Sequence, residues 1–395
     1  MLARTEEEPS AAKFLRRSRN ALSFRSSSGQ LNPLFFFAGA VTSSAHINAV
    51  GTAVPGHDVH EAFIAWAEAR LGDPRHRALF HRMAERSGIR HRWSVLPLGA
   101  DGGSPVDQGG FYHEILPGTA ARMRVYGEEA PKLALAAVRD LAAKAALGAV
   151  THLVVASCTG FVAPGIDQII AAELGLGDVE RTLVGFMGCY AAVSALRLAH
   201  HIVRSEPEAR VLVVTVELST LHLQDEREIE PLLAMLQFAD GASASLVTAE
   251  PTGFAISHPF AAALPDSSEL IRWNIGDSGF AMHLSGEVPG RIGEALRDEA
   301  VRERVLGGAE PEEIDAWAVH AGGRSVLDAV EHGLALPQGA LAESRDVLAR
   351  FGNMSSSTLP FVLAEQLPNP ERRRGIALAF GPGLAAEGFR FKRAS

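Results

Sequence analysis

The chain has 395 residues, 47% of them hydrophobic, so it can bury a large core and is long enough for two or three domains. Its 37 Lys+Arg against 46 Asp+Glu give a net charge of −9, which argues against nucleic acid as the main partner. Two cysteines cannot build a disulfide scaffold and, as reduced thiols, fit a cytoplasmic enzyme, while the lack of any apolar run of about 18 residues argues against a membrane span.

Residues 1–45 differ from the rest: acidic Glu6-Glu7-Glu8, basic Arg16-Arg17-Ser18-Arg19, then Ser26-Ser27-Ser28-Gly29. Leu34 to Ala38 is too short for a signal sequence core, so this part reads as a disordered extension or a start codon placed too early. A first strand is expected near His46–Val50. Asp58 then reads as a helix cap, with Glu61 three residues on completing a capping box, rather than as part of a metal cluster with His57 and His60. Arg82 and Arg86 lie four apart, on one face of a predicted helix.

Strands are expected at 152–157, 210–217, 244–249, 316–320 and 375–380, and helices at 128–146, 165–174, 190–205, 289–303, 326–332, 338–351 and 358–366. The strands are rich in Val, Ile, Leu and Ala without alternation, as when helices cover both faces of a sheet. The alternation implies an α/β layered fold. Residues 145–157 and 311–320 echo each other, each running from a helix end through a polar turn into a buried strand. That suits two related halves meeting near residue 250: 46–250 carrying a cysteine, and 251–395 carrying a histidine and an asparagine.

Three segments carry chemistry. In Gly185-Phe186-Met187-Gly188-Cys189-Tyr190, Cys189 ends an apolar run and opens an amphipathic helix, where the macrodipole and unpaired N–H groups favour the reactive thiolate. Val319-His320-Ala321-Gly322-Gly323 delivers a histidine from a buried strand onto a glycine turn. Phe351-Gly352-Asn353-Met354-Ser355 presents an asparagine before a helix. His200-His201, adjacent on the cysteine helix, point about 100° apart and read as surface or interface residues. Phe380-Gly381-Pro382-Gly383 lacks the third glycine of a nucleotide fingerprint, and its proline lacks an N–H a phosphate would need, so a rigid turn in a cavity wall fits better.

These four ordered motifs, with Ala379 and Leu384 flanking the last, make residues 46–393 resemble the type III polyketide synthases, the chalcone and stilbene synthase superfamily, with its thiolase-like α/β fold of two layered α-β-α halves. The resemblance implies an acyltransferase in which Cys189 takes an acyl starter from its CoA thioester, and His320 and Asn353 stabilise the enolate formed as malonyl-CoA loses carbon dioxide. It implies a homodimer with CoA thioesters as substrates; no redox or metal cofactor is signalled. Arg82 and Arg86 match residues that contact CoA phosphates in the family, although a third such position is Leu79 here. Phe238 matches a gate between CoA tunnel and reaction cavity, and Met282 stands where a second aromatic gate is common. Cys158, Ser219, His222, Trp273 and the Phe380, Gly381, Pro382 and Gly383 loop match cavity positions.

Cys158, Ser219, His222 and Met282 depart from the plant chalcone synthase cavity, and Trp273 changes its floor. By analogy with bacterial relatives, the expected starter is a fatty acyl-CoA and the product an alkylpyrone or alkylresorcinol. Rival readings are a chalcone synthase-like enzyme with an aromatic starter, a ketoacyl-ACP synthase III that loads a carrier protein, and an idle thiolase-fold protein that only binds acyl-CoA.

Overall fold

The computed structural model describes residues 43–395; the readings made for residues 1–42 lie outside it. Its first strand, β1 (His46–Ala53), is followed by a two-residue bridge between β2 (His57–Asp58) and β3 (Trp93–Ser94), which brackets helices α1 (His60–Arg70) and α2 (Pro74–Arg86). The expected capping box does not form. Asp58 stands two residues ahead of α1 and accepts from the backbone N–H of His60 and Arg92 and from the His91 ring, so its carboxylate ties the bridge together.

The long helix α3 (Thr119–Lys144) starts nine residues earlier than the sequence suggested and carries Pro131 inside it. An interior proline costs a helix about 3 kcal/mol; here the burial of Tyr126, Ala130, Leu133, Ala134, Ala137, Val138 and Leu141 against the sheet offsets it. Next come β4 (His152–Ser157), α4 (Ile166–Glu173), β5 (Glu180–Gly185), α5 (Ala191–Ser205), β6 (Val211–Leu218), α6 (Ile229–Met235) and β7 (Asp240–Thr248). The second half holds β8 (Phe254–Ala263), the hairpin β9 (Ile271–Gly276) and β10 (Gly279–Leu284), α7 (Val288–Arg297), α8 (Glu299–Leu306), β11 (Ala316–Val319), α9 (Arg324–Gly333), α10 (Ala342–Phe351), α11 (Thr358–Gln366), β12 (Arg374–Gly381) and β13 (Ala385–Arg393). The single helix expected over 289–303 breaks at Asp298, whose side chain accepts from the N–H groups of Ala300 and Val301 and so starts a second helix.

Nine strands form one sheet in the order β11-β12-β13-β8-β1-β7-β6-β4-β5. It reads as the same arrangement twice. In the first half β4 is parallel to β6, and β6-β7-β1 are antiparallel; in the second β11 is parallel to β12, and β12-β13-β8 are antiparallel. The halves join where β1 meets β8, His46 opposite Ala255. Three apolar clusters fill the layers. One packs α1, α2, α3 and α4 against Leu153, Val155, Leu212 and Val214; another packs α7 and α9 against Trp317, Val319, Ile376 and Leu378; the central one holds α5 and α11 with strand residues of both halves, such as Val154, Val211, Ala316 and Ala377. The fold is the α/β thiolase-like one of two related α-β-α halves, and both central helices begin at one end of the sheet.

Candidate active site

Cys189 sits in the bend between β5 and α5, on a single turn of 3₁₀ helix, Gly188–Tyr190. The bend is tight: Phe186 and Gly188 have φ of 55° and 75°. A Cβ on Gly188 would lie 2.4 Å from Cδ of Pro382, and one on Gly381 2.5 Å from the Tyr190 ring, so only glycine lets the loop after β12 close against the cysteine. His320 follows β11 directly, fixed by its N–H donating to the Leu378 carbonyl at 2.8 Å. Asn353 follows α10 and is pinned to the segment after α6: its N–H donates to Gln237, its carbonyl accepts from Ala239, and it forms a parallel bridge with Phe238. The Asn353 amide donates to the Gly322 carbonyl at 3.1 Å, and its Oδ1 accepts from the Ser355 N–H at 2.9 Å. One amide hydrogen therefore remains for a ligand.

The three side chains line one cavity, together with Phe238, Met282, Cys158, Ser219, Trp273, Phe380, Gly381 and Pro382. Gly383 does not line it. His222 faces an adjoining cavity instead, lined mainly by apolar residues such as Val59, Phe63, Leu96, Val106, Leu223 and Met235. Ser219, Phe238, Trp273 and Met282 border both spaces and form the partition between them. Trp273 and Met282 are cross-strand partners in the β9–β10 hairpin, and the Trp273 indole N–H donates to the Cys158 carbonyl at 2.8 Å. His222 accepts from the Phe280 N–H at 3.1 Å, which leaves its Nε2–H to donate to the Thr159 carbonyl at 2.7 Å. Both ring nitrogens are committed to holding the hairpin, so His222 shapes the wall and transfers no proton. His200, read with His201 as a surface or interface residue, is buried, while His201 beside it is exposed.

The electrostatics differ from the expectation for a helix-start thiol. Burial pushes the Cys189 thiol up to about 12, against the opposing hydrogen bond from the Ser355 hydroxyl at 3.7 Å. Burial likewise lowers His320 to about 3; it is 1% exposed and neither ring nitrogen has a partner among the described residues. Desolvation penalises each charged form more than one turn of helix rewards the thiolate. The cavity is thus lined by a neutral thiol and by a neutral imidazole whose ring nitrogens have no partner among the described residues.

Two residues emerged only from the geometry. Glu217, near the end of β6, is fully buried and accepts from the Cys158 N–H and thiol, the Thr159 hydroxyl and the Ser356 hydroxyl. Burial raises it to about 7, against those hydrogen bonds. Its one sequence signal is a single carboxylate in an otherwise uncharged strand. Ser355 touches both sulfurs, at 3.2 Å to Cys158 and 3.7 Å to Cys189. Arg82 and Arg86 are both exposed on α2, but only Arg86 lines a surface groove, with Ser87, Gln237, Arg324 and Ser325. Among the described residues no group of three or more His, Cys, Asp or Glu could hold a metal ion, and no helix is long and apolar enough to cross a membrane.

Residues 37–251 match the N-terminal domain, and residues 256–394 the C-terminal domain, of the chalcone and stilbene synthases. The chain is 33% identical over 371 residues to "Alpha-pyrone synthesis polyketide synthase-like Pks18" of Mycobacterium tuberculosis, covering 89% of this chain and 91% of that protein; the Mycobacterium bovis protein of the same description matches equally. Among solved structures, PKS-I from the brown alga Ectocarpus siliculosus superposes with a TM-score of 0.80 at 26% identity, covering 89% of this chain and 99% of that one. The C-terminal type III polyketide synthase domain of Steely1 from Dictyostelium gives 0.79 at 26% identity, covering 89% and 100%.

Proposed function

The chain belongs to the chalcone and stilbene synthase family and is a type III polyketide synthase, an acyltransferase-type condensing enzyme working on CoA thioesters, and from that premise we propose which residues do the chemistry and what they make. The Cys189 sulfur attacks the thioester carbonyl of a starter acyl-CoA as its proton passes to His320, and CoA leaves as the thiol. Malonyl-CoA then binds with its thioester oxygen toward His320 and the free amide hydrogen of Asn353. Carbon dioxide departs, and the two donors stabilise the resulting enolate, at about 3–4 kcal/mol per donor in measured analogues. The enolate carbon forms a bond to the cysteine-bound carbonyl and the Cys189 sulfur leaves, ready to take back the extended chain.

The product is an alkylpyrone: after extension, an enol oxygen of the chain attacks its own thioester carbonyl, closing a lactone and freeing the enzyme. The observation that carries this reading is the single cavity shared by Cys189, His320 and Asn353, adjoined by a mostly apolar space whose lining suits an alkyl tail. The Pks18 similarity, in its description as an alpha-pyrone synthesis enzyme, supports the same product class. CoA thioester substrates and two free cysteines support a cytoplasmic enzyme. A homodimer is supported by the exposed edge of strand β5, where Leu183 is open to solvent and lines a small pocket with exposed Phe161.

The test offers purified protein malonyl-CoA with hexanoyl-, lauroyl- or coumaroyl-CoA, without carrier protein, and identifies products by mass. Lauroyl-derived pyrones are expected. Turnover of the coumaroyl ester alone would overturn the alkyl-starter part, and a requirement for carrier protein would overturn the CoA part.

A further inference from the structure

The chemistry proposed above leaves one deeply buried cation unused. Arg92 is 3% exposed and directly precedes Trp93 of the β2–β3 bridge. Burying such a charge is costly unless it is paired, yet no carboxylate bonds its guanidinium among the described residues. Asp58 is taken up by the N–H groups of His60 and Arg92 and by the His91 ring, and Asp240 by the N–H groups of Val95 and Thr220 and the Thr220 hydroxyl. The guanidinium grips backbone instead. One terminal nitrogen donates to the carbonyls of Met235, at 3.1 Å, and Phe238, at 2.9 Å, while Nε donates to the buried His60 ring at 3.1 Å. This closes the turn that follows α6. Inside that turn lies Gln237, whose carbonyl accepts from the Asn353 N–H at 2.8 Å, and Phe238 at its end is bridged to Asn353.

The same stretch of chain holds Asn353 from its other side. The Arg90 N–H donates to the Ala349 carbonyl at 2.8 Å, and the Trp93 indole N–H to the Arg350 carbonyl at 2.9 Å. Residues 90–93 thus satisfy two of the carbonyls left open at the end of α10, directly before Gly352-Asn353. The approach is close: Gly352 has a φ of 71°, and a Cβ there would lie 3.0 Å from Cγ of Arg92 and 3.3 Å from the Gln237 carbonyl oxygen. We propose that Arg92 is a positioning residue, which sets the Asn353 amide for the malonyl thioester by clamping the turn after α6 while its neighbours hold the end of α10. The role rests on the condensing-enzyme reading above and reaches the reacting atoms only through Asn353. Arginine suits it because a planar fork serves several fixed acceptors at once, whereas a lysine ammonium keeps the charge without that geometry.

The test follows two half-reactions of the intact protein: acyl uptake on Cys189 from lauroyl-CoA, read by mass, and carbon dioxide release from malonyl-CoA. Arg92→Lys should load Cys189 as the wild type does. Its kcat for carbon dioxide release should fall about ten-fold, the loss of a charged hydrogen bond, with the KM for malonyl-CoA unchanged. Added to Asn353→Ala, the same substitution should cost no more than about two-fold further, because groups acting through one amide are not additive. Undiminished release in Arg92→Lys overturns the assignment. So does loading that falls as far as release, or a ten-fold loss that persists beside Asn353→Ala, since either marks a merely structural role. Should Arg92→Lys fail to fold, Trp93→Phe, which removes only the bond to the Arg350 carbonyl, goes through the same cycle. About a three-fold loss of release is then expected, absent beside Asn353→Ala, and the same outcomes count against the clamp. Wild-type protein that loads Cys189 yet releases no carbon dioxide sinks the condensing reading together with the clamp; normal wild-type release beside an unaffected variant sinks the clamp alone.

Discussion

The two halves of the sheet place different chemistry at equivalent points. Where β4 ends the first half presents Cys158, and where the equivalent β11 ends the second presents His320. Just before α5 stands Cys189; just before α11, its counterpart in the central layer, stands Asn353. Each of these helices is preceded by a short 3₁₀ turn, Gly188–Tyr190 and Ser355–Ser357. Two related arrangements therefore bring four side chains to one cavity, Cys158 and Cys189 from the first half and His320 and Asn353 from the second. Rigid strand and helix ends suit this task because their backbone bonds fix the side chains before substrate arrives.

The sharpest way to break the comparison is to empty one half of its chemistry. Cys189→Ala should abolish product formation, a loss of roughly a thousand-fold or more, because no second group takes over the covalent step. Intact-protein mass after incubation with lauroyl-CoA should show no acyl adduct on the variant; an adduct that persists, mapped to Cys158, would mean the equivalent sulfur can stand in. Asn353→Ala removes only the second half's donor. It should still take up the acyl group at Cys189 while decarboxylation falls about a hundred-fold or more, measured as carbon dioxide release from malonyl-CoA. Loss of acyl loading in that variant would instead mean that Asn353 is needed to seat the cysteine.

The sequence marks Cys189, His320 and Asn353 by glycines within two residues of each, and the structure brings the three to one cavity. Strand β4 and helix α11 fall at the expected residues, 152–157 and 358–366, since both are almost continuously apolar and sharply bounded. Strands β8 and β13 escaped: β8 carries His258 and Pro259 in its middle, and β13 sets a buried Glu387 and the cations Arg390 and Lys392 among buried Phe389 and Phe391. The hairpin β9–β10 escaped as well, because its outward residues are polar and its hold on the core runs through His222 and Trp273 rather than through pattern. Glu217 was invisible for a different reason. Its donors come from two separate segments, Cys158-Thr159 and Ser356, and no local spacing reports such a meeting. The burial that raises the Cys189 thiol has no local sequence signal, whereas its place at a helix start does.

A smaller change acts on the partition. Trp273→Ala removes the largest side chain that borders both cavities while keeping its strand, so the reaction space and the apolar space should merge. Overall turnover of lauroyl-CoA should stay within about ten-fold of wild type, since no reacting group is lost. The product distribution should shift toward more malonyl additions, read by mass. An unchanged distribution would mean that Phe238 and Met282 alone set the boundary.

The smallest effect concerns stability, and it opposes two sets of buried groups. Burial lowers His60 and His200 to about 4 and His222 and His320 to about 3, so each is neutral in the fold and gains a proton on unfolding at any pH below its ordinary 6.5. Their contribution is complete above that value and is lost as pH falls through the lowered ones. Glu217, raised to about 7, and Asp240, raised to about 6, work the other way, holding protons in the fold that the unfolded chain releases above its ordinary 4.5 and 3.8. Between about pH 4.5 and 6.5 the four histidines outweigh the two carboxylates, the unfolded chain binds more protons, and stability rises with pH. Scanning calorimetry should therefore give a Tm that climbs across that window and levels off above about pH 7, once Glu217 has also ionised. His222→Phe would keep the ring against Phe280 and drop one titrating group, at the cost of leaving the Phe280 N–H and the Thr159 carbonyl unpaired. The variant should show a shallower climb in Tm with pH on top of a lower plateau; an equally steep climb would remove His222 from the set that senses acid.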